Sequence, residues 1–531
     1  MVKPDILLPI CHFLVLFTLF GVVDAGKVLA VPVGGSHWST MKFLIKDLTK
    51  KGHEVTVIRL SHDLNVDSTS PDFKVITIQL SDNQARSMEE KIETVLSWIF
   101  YNTFMKETSS STAFWEFLMS VRRLTQDNKL AIETIFDNTS LVRQLQETHF
   151  DIALADPFFP GSLMLARYLN LPIVLFGKWM PTEDIHFHIA PSPLSYVPVL
   201  NSRLTDRMTF LQRLKNVLMY SFGRLLNHIF IYSTYNELCK RYLKSADSIY
   251  TLYKQADIYL MKSDFALEFV RPCMPNTIYI GGFHIQPANP LPPELQEFMD
   301  EAESGVVIFS LGSIFSTLPG NIATEIAAGL AQLPQRVVWR YTGPPIPGLG
   351  NNTKLVSWLP QNDLLGHPNT KAFIAHGGEN GIYEAIYHGV PVVGFPLFGD
   401  NYDNLLRLRV KGAAILLENL NRLNRRDIWA AVQNVTEDPS YRISMRKLSQ
   451  LHRDTPIPGR KLAVFWTEYV MRNKGAHHLR VAGNDLPFYQ YHLLDVLAFI
   501  LMCLVLLSYS AWSVLRILWR TLHGRIKVKK L

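Results

Sequence analysis

Hydrophobic and polar positions follow one rhythm through most of the chain: a short apolar run, an amphipathic stretch, then another apolar run. Residues 27–35 (KVLAVPVGG) read as a buried strand, and residues 36–52 place Met41, Leu44, Ile45 and Leu48 on one helical face. Residues 53–60 (HEVTVIRL) read as a second strand. The rhythm returns at DIALADPFF (151–159), a helix over 163–170 and PIVLF (172–176). A second series runs through GVVIFSLGS (305–313), QRVVWRYT (335–342), TKLVSWLP (353–360), KAFIAHGG (371–378) and VPVVGFPLF (390–398). Strands alternating with helices at this spacing predict parallel sheets and an α/β fold. Between the series, residues 281–298 carry Pro287, Pro290, Pro292 and Pro293 and read as a linker. Two such halves leave a cleft, and open parallel sheets bind ligands at the carboxyl ends of their strands.

Two stretches break the rhythm at the ends. Residues 1–25 combine Lys3, an apolar run from Ile6 to Val23, and Val23 and Ala25 at small-residue positions, the pattern of a secretory signal peptide. Val496 to Leu515 is uncharged and long enough to span a membrane. Arg516, Arg520, Arg525, Lys527, Lys529 and Lys530 follow it without an acidic residue, which places the tail in the cytosol and the body in the lumen. Lys527 and Lys529 also form a Lys-x-Lys-x-x pattern of endoplasmic-reticulum retrieval, or alternatively a plain stop-transfer flank.

This placement changes the meaning of the composition. The chain has 531 residues, with 53 Lys+Arg against 46 Asp+Glu, a net charge of +7. Setting aside Lys3, Asp5, Asp24 and the six tail cations leaves 46 basic and 44 acidic residues, net +2. A nearly neutral body offers no basic groove, so nucleic acid is not expected as a partner. Four cysteines are too few for a disulfide framework, and only Cys239 and Cys273 would face the lumen, paired or free. Asn138, Asn351 and Asn434 stand in glycosylation sequons. Residues 205–235 are helical in pattern and strongly apolar, which reads as core helices or, alternatively, as an interfacial helix against lipid.

The densest chemistry lies between Trp358 and Asn404. A strand ending in His376, then Gly377, Gly378 and a helix beginning near Asn380, is an anion site, because free amides and the helix dipole point outward. A diphosphate suits it. Glu384, one turn on, can accept from ribose hydroxyls; Trp358 offers a face for a base; Asp400 and Asn401 pair an acceptor with an amide for sugar hydroxyls. In the first half, His37 and Asp156 each close a strand on the same sheet edge. An imidazole oriented by a carboxylate is a suitable general base. His186-x-His188 is the one metal-like spacing, read as structural.

The ordered motifs WLPQNDLLGHP, HGG-x-NG-x-x-E-A-x-x-HG and the Asp-Asn of FGDN resemble the donor-binding signature of the UDP-glycosyltransferases, in detail the animal UDP-glucuronosyltransferases. The resemblance extends over the whole chain. It implies a GT-B fold of two Rossmann-like domains: an acceptor domain over 26–285, a UDP-sugar domain over 286–445, helices over 446–490, a transmembrane helix within 491–515 and a basic tail over 516–531. It further implies that Ser310, Ser313 and Arg340 contact the donor, Trp358 and Gln361 hold uracil, His376 to Asn380 the diphosphate, Glu384 the ribose, and Asp400 with Asn401 the sugar. His37 and Asp156 match the family's catalytic pair.

The implied reaction is inverting transfer of glucuronate from UDP-glucuronate to a small lipophilic acceptor. UDP-glucuronate is a co-substrate, and no metal is expected, since no Asp-x-Asp triplet occurs. Association with copies or relatives fits the resemblance. Asn401 departs from it, standing where glucuronate users commonly carry Gln, which keeps transfer of galactose or glucose to a lipid as an alternative. Glu379 replaces a usual small residue and is expected to point outward. A non-catalytic membrane partner of active relatives is the reading from another class.

Overall fold

The computed structural model describes residues 25–61, 66–80, 110–243, 247–313 and 315–528. Residues 1–24 of the expected leader, and Lys529 of the retrieval pattern, lie outside the described residues. The described chain forms two compact units, Met1–Leu479 and Arg480–Leu531.

Two parallel sheets organise the first unit. The N-terminal half, expected to be the acceptor half, holds β1 (Lys27–Val31), β2 (Glu54–Leu60), β3 (Lys74–Ile78), β4 (Ile152–Ala155), β5 (Ile173–Gly177), β6 (Ile258–Met261) and β7 (Thr277–Tyr279). Their order is β3-β2-β1-β4-β5-β6-β7. The C-terminal half, expected to be the donor half, holds β8 (Val306–Ser310), β9 (Arg336–Arg340), β10 (Thr353–Val356), β11 (Thr370–Ala375), β12 (Val392–Gly394) and β13 (Ala414–Leu416). Their order is β10-β9-β8-β11-β12-β13. Central strands such as VVIFS are buried throughout because helices cover both faces, which is why they read as continuous apolar runs. The strand order of each sheet reverses at its first strand's neighbours, and β1 and β4, which carry His37 and Asp156 past their ends, lie side by side there.

The donor half hands the chain back. The helix Gly459–Asn473 buries Ala463, Val464 and Val470 in the same cluster as Val28 and Ala30 of β1. Lys51 donates to Glu468 at 2.9 Å, and Arg460 pairs with Asp47. This helix therefore belongs to the acceptor half's core rather than only leading towards a membrane.

The expectation of core helices within 205–235 is corrected for its first helix and holds for its end, where Tyr232 and Tyr235 are buried in the core. The helix Phe210–Leu226 buries only Asn216 and exposes Phe210, Leu211, Leu218 and Leu225 by more than half. Its buried amide explains the docking: Asn216 accepts from the Val199 amide at 2.8 Å and donates to the Leu194 and Val197 carbonyls. Lys215 Nζ also donates to the Ser202 carbonyl at 2.7 Å and Tyr220 stacks on Phe187, while the apolar side remains outside.

Cys239 is buried and Cys273 exposed, both unpaired; burial pushes the Cys239 thiol up to about 12. Asn138, Asn351 and Asn434 are all exposed, as glycosylation requires. His186 packs on Trp179 with ring centroids 4.3 Å apart, whereas His188 bonds the Tyr250 hydroxyl. The two imidazoles serve separate packing sites. In the second unit one helix, Leu494–Val528, contains an apolar stretch, Leu494–Thr521, long enough to cross a membrane. It runs past Leu515 into the basic tail, so Lys527 falls within the helix.

Candidate active site

His37 stands one residue into the helix Ser36–Lys50, which follows β1 after a short turn over 32–35. Its Nδ1 lies 2.7 Å from Asp156 Oδ2. The carboxylate is 1% exposed and the imidazole 31%, so one partner is fixed in the core and the other reaches the cleft. Asp156 Oδ1 accepts from the Phe158 amide at 2.9 Å, which holds the carboxylate plane. The Phe158 ring meets the imidazole edge-on at 5.4 Å. With Nδ1 committed to Asp156, Nε2 is the atom left to accept a proton.

The donor half aligns its strand ends in the same way. β8 ends at Ser310, whose Oγ accepts from the Gly312 amide at 3.2 Å. β9 ends at Arg340, which donates to the Gly312 carbonyl and to the Ser357 carbonyl at 3.3 Å. Its guanidinium lies 5.5 Å from the centroid of Trp358, an indole 68% exposed and therefore free to receive a base. Ser313 is exposed beside it. Gln361 and Glu384 meet directly: the Gln361 amide donates to Glu384 Oε2 at 2.6 Å. Burial pushes the Glu384 carboxyl up to about 7.

The turn after β11 has the anion-site form. Gly377 has φ +94°, and a Cβ there would lie 2.6 Å from the Asn401 carbonyl, so only glycine lets the two loops touch. Gly378 caps the helix Glu379–His388, and a Cβ on it would strike the His376 ring. His376 is half-buried, with its Nδ1 out of solvent and unpartnered, and desolvation lowers its pKa to about 4, so it is neutral. An unpartnered buried nitrogen at such a turn fits a site completed by ligand. Asn380 and Gly381 lie in the first turn of that helix, where amide donors are unused by the helix itself.

Glu379 is not turned outward. Its carboxylate is 9% exposed and lies 3.5 Å from Lys262 Nζ, and burial raises its pKa despite Lys178 and Lys262. Asp400 accepts from Lys178 Nζ at 2.9 Å and from Asn404 Nδ2 at 2.9 Å, both on Oδ2. Burial alone would raise Asp400, but Lys178 outweighs it and holds the carboxyl at about 2. Asn401 is 3% exposed, and its Oδ1 accepts from the Phe398 amide at 3.2 Å, within its own loop.

Lys178, Lys262 and Asn404 were not singled out in the sequence. The signal for Lys178 was present, as a lysine directly after the buried strand ILE-VAL-LEU-PHE-GLY of β5, where a cleft residue is expected. Lys262 follows β6, a strand too short to announce itself. An anion site expected to rely on backbone amides thus also has two lysines nearby.

The model of the family described as "UDP-glucoronosyl and UDP-glucosyl transferase" matches residues 26–529. UDP-glucuronosyltransferase 2A2 of Homo sapiens is 40% identical over 499 residues, covering 92% of this chain and 91% of its own. UDP-glucuronosyltransferase 2B13 of Oryctolagus cuniculus is 40% identical over 514 residues, covering 96% of each. Among solved structures, the calicheamicin glycosyltransferase CalG4 aligns at TM-score 0.56 and 18% identity over 85% of this chain and 99% of its own. Phytolacca americana UGT2 complexed with UDP-2fluoro-glucose and pterostilbene aligns at 0.56 and 17% over 84% and 99%. These structures carry the fold, two parallel-sheet α/β domains of GT-B type. The match over nearly the full length, together with relatives this similar, places the chain in the UDP-glucoronosyl and UDP-glucosyl transferase family.

Proposed function

We propose that the chain transfers glucuronate from UDP-glucuronate to a hydroxyl of a small lipophilic acceptor, with inversion at C1. The observation that carries this is the 2.7 Å His37–Asp156 pair at the cleft edge of β1 and β4. His37 Nε2 takes the acceptor proton as oxygen attacks C1, Asp156 steadies the imidazolium, and UDP leaves towards the turn at His376–Gly378. Charge on the leaving diphosphate is met by the amides of the Glu379–His388 helix, with no metal in the scheme. We place the body in the lumen of the endoplasmic reticulum, with Lys527 and Lys529 as retrieval signal. The exposed apolar side of the Phe210–Leu226 helix gives the acceptor half a face for lipid.

A donor panel of UDP-glucuronate, UDP-glucose, UDP-galactose and UDP-N-acetylglucosamine against mixed phenols, read by product mass, tests the reading. The glucuronide is expected to dominate. The buried Asn401 amide, engaged with its own loop, favours the hexose alternative as second reading, and a hexoside as main product would establish it. UDP binding without any product would instead identify a non-catalytic partner.

Glu384 makes binding pH-dependent. Its carboxyl is raised from 4.5 to about 7, so the folded protein holds this proton more tightly than the unfolded chain does. Stability from this group is present below its ordinary pKa and is lost as pH rises through 7. Ribose hydroxyls donate to the ionised form. Binding of UDP-glucuronate without acceptor is therefore expected to tighten as pH rises towards 7, by up to about tenfold per pH unit, with proton release. Calorimetry in two buffers checks this, and Glu384→Gln is expected to flatten the slope.

A further inference from the structure

Lys178 and Lys262 follow adjacent strands, β5 and β6, on the acceptor half, yet each reaches a carboxylate of the donor half. Lys178 donates to Asp400 and to Asn404 Oδ1. Lys262 pairs with Glu379 at 3.5 Å and donates to Thr40 Oγ1 at 3.2 Å, on the His37 helix. The Lys178 side chain is 8% exposed, and a buried ammonium is tolerated only when paired. Its partners lie across the cleft, so its burial depends on the halves being closed.

The geometry at Asp400 is one-sided. Lys178 and Asn404 both bond Oδ2, while the carboxylate as a whole is 28% exposed. Asn404 also donates to the Gly377 carbonyl at 2.8 Å, which ties this group to the diphosphate turn. We infer that Lys178 is a positioning residue for donor-sugar recognition: it grips Asp400 Oδ2 from the opposite half, presents Oδ1 to the sugar hydroxyls, and so couples sugar binding to closure of the cleft. This rests on the reading of Asp400 as the sugar contact. The ammonium's own pKa agrees: burial would lower it, but Asp400 and Glu379 outweigh burial and raise it.

The test compares a ligand with the sugar to one without it. With 1-naphthol as acceptor, KM for UDP-glucuronate and the inhibition constant of UDP are measured for wild type, Lys178→Met, Lys178→Arg, Asp400→Asn and the Lys178→Met/Asp400→Asn pair. Lys178→Met is expected to raise the donor KM about 10- to 100-fold while the UDP constant and acceptor KM stay within about threefold. Lys178→Arg should recover part of the loss, and the pair should be no worse than Asp400→Asn. Equal weakening of UDP and UDP-glucuronate overturns the proposal, since Lys178 would then serve the diphosphate or the fold. A raised KM in Asp400→Asn with none in Lys178→Met overturns it while leaving the Asp400 reading intact. No rise in Asp400→Asn overturns that reading, and the proposal with it. If the methionine variant does not fold, Lys178→Gln, which keeps a donor without charge, takes its place under the same criteria.

Discussion

Replacing His37 by alanine is expected to lower kcat/KM for a phenol about 10²- to 10⁴-fold, the range associated with loss of a positioned general base. On the free-energy scale that is about 3–5 kcal/mol of transition-state stabilisation. The specific claim is which acceptors suffer. A phenol must lose its proton as C1 is attacked, and Nε2 is the nitrogen available because Asp156 holds Nδ1 at 2.7 Å. A carboxylic-acid acceptor arrives ionised and needs no base. Its loss in His37→Ala should be much smaller, so the ratio of the two rates separates base catalysis from damage to the cleft. Equal losses for both acceptors would count against the assignment. Asp156→Asn should reproduce the phenol defect with the donor KM little changed, because its 1%-exposed carboxylate touches the imidazole rather than the donor half.

Most of the frame was legible in the sequence because it depends on local pattern. Nine strands, β1, β2, β4, β5 and β8–β12, show as apolar runs closed by glycine, proline or a polar residue. The four that escaped are short or weakly patterned: β3 (KVITI) is only half-buried, β6 has four residues, and β7 and β13 have three each. The strand-end positions of the candidate site residues were legible for the same reason, and strand ends are where parallel sheets gather ligand groups. Contacts between the halves were not. Glu379 looked like a surface charge beside a phosphate turn, and only the placement of Lys262, over a hundred residues earlier, turns it inward. The helix Phe210–Leu226 failed differently: an apolar helix reads alike whether protein or lipid covers it, and the decisive fact, that Asn216 rather than a leucine is its buried anchor, is tertiary.

The largest expected effect on stability also lies between the halves. Arg407 Nε lies 3.0 Å from Glu268 Oε2, with side chains 3% and 5% exposed. Arg407→Met is expected to destabilise the protein by about 3 kcal/mol, visible as a lower unfolding midpoint, because it leaves the buried Glu268 carboxylate with only the more distant Arg271 and Lys178 as counter-charges. The surroundings sharpen this. Asp403, itself raised by burial, leans on Arg407 as a counter-charge, and the guanidinium also donates to Asn404 Oδ1 at 3.2 Å. Losing Arg407 therefore removes compensation from two carboxylates at once. Neither Glu268 oxygen makes a hydrogen bond, so the attraction is coulombic and repays desolvation poorly. Replacing both partners, as Glu268→Leu/Arg407→Met, should then recover much of the single-mutant loss. A double variant less stable than Arg407→Met alone would show that the pair contributes more than the removal of its own burial cost.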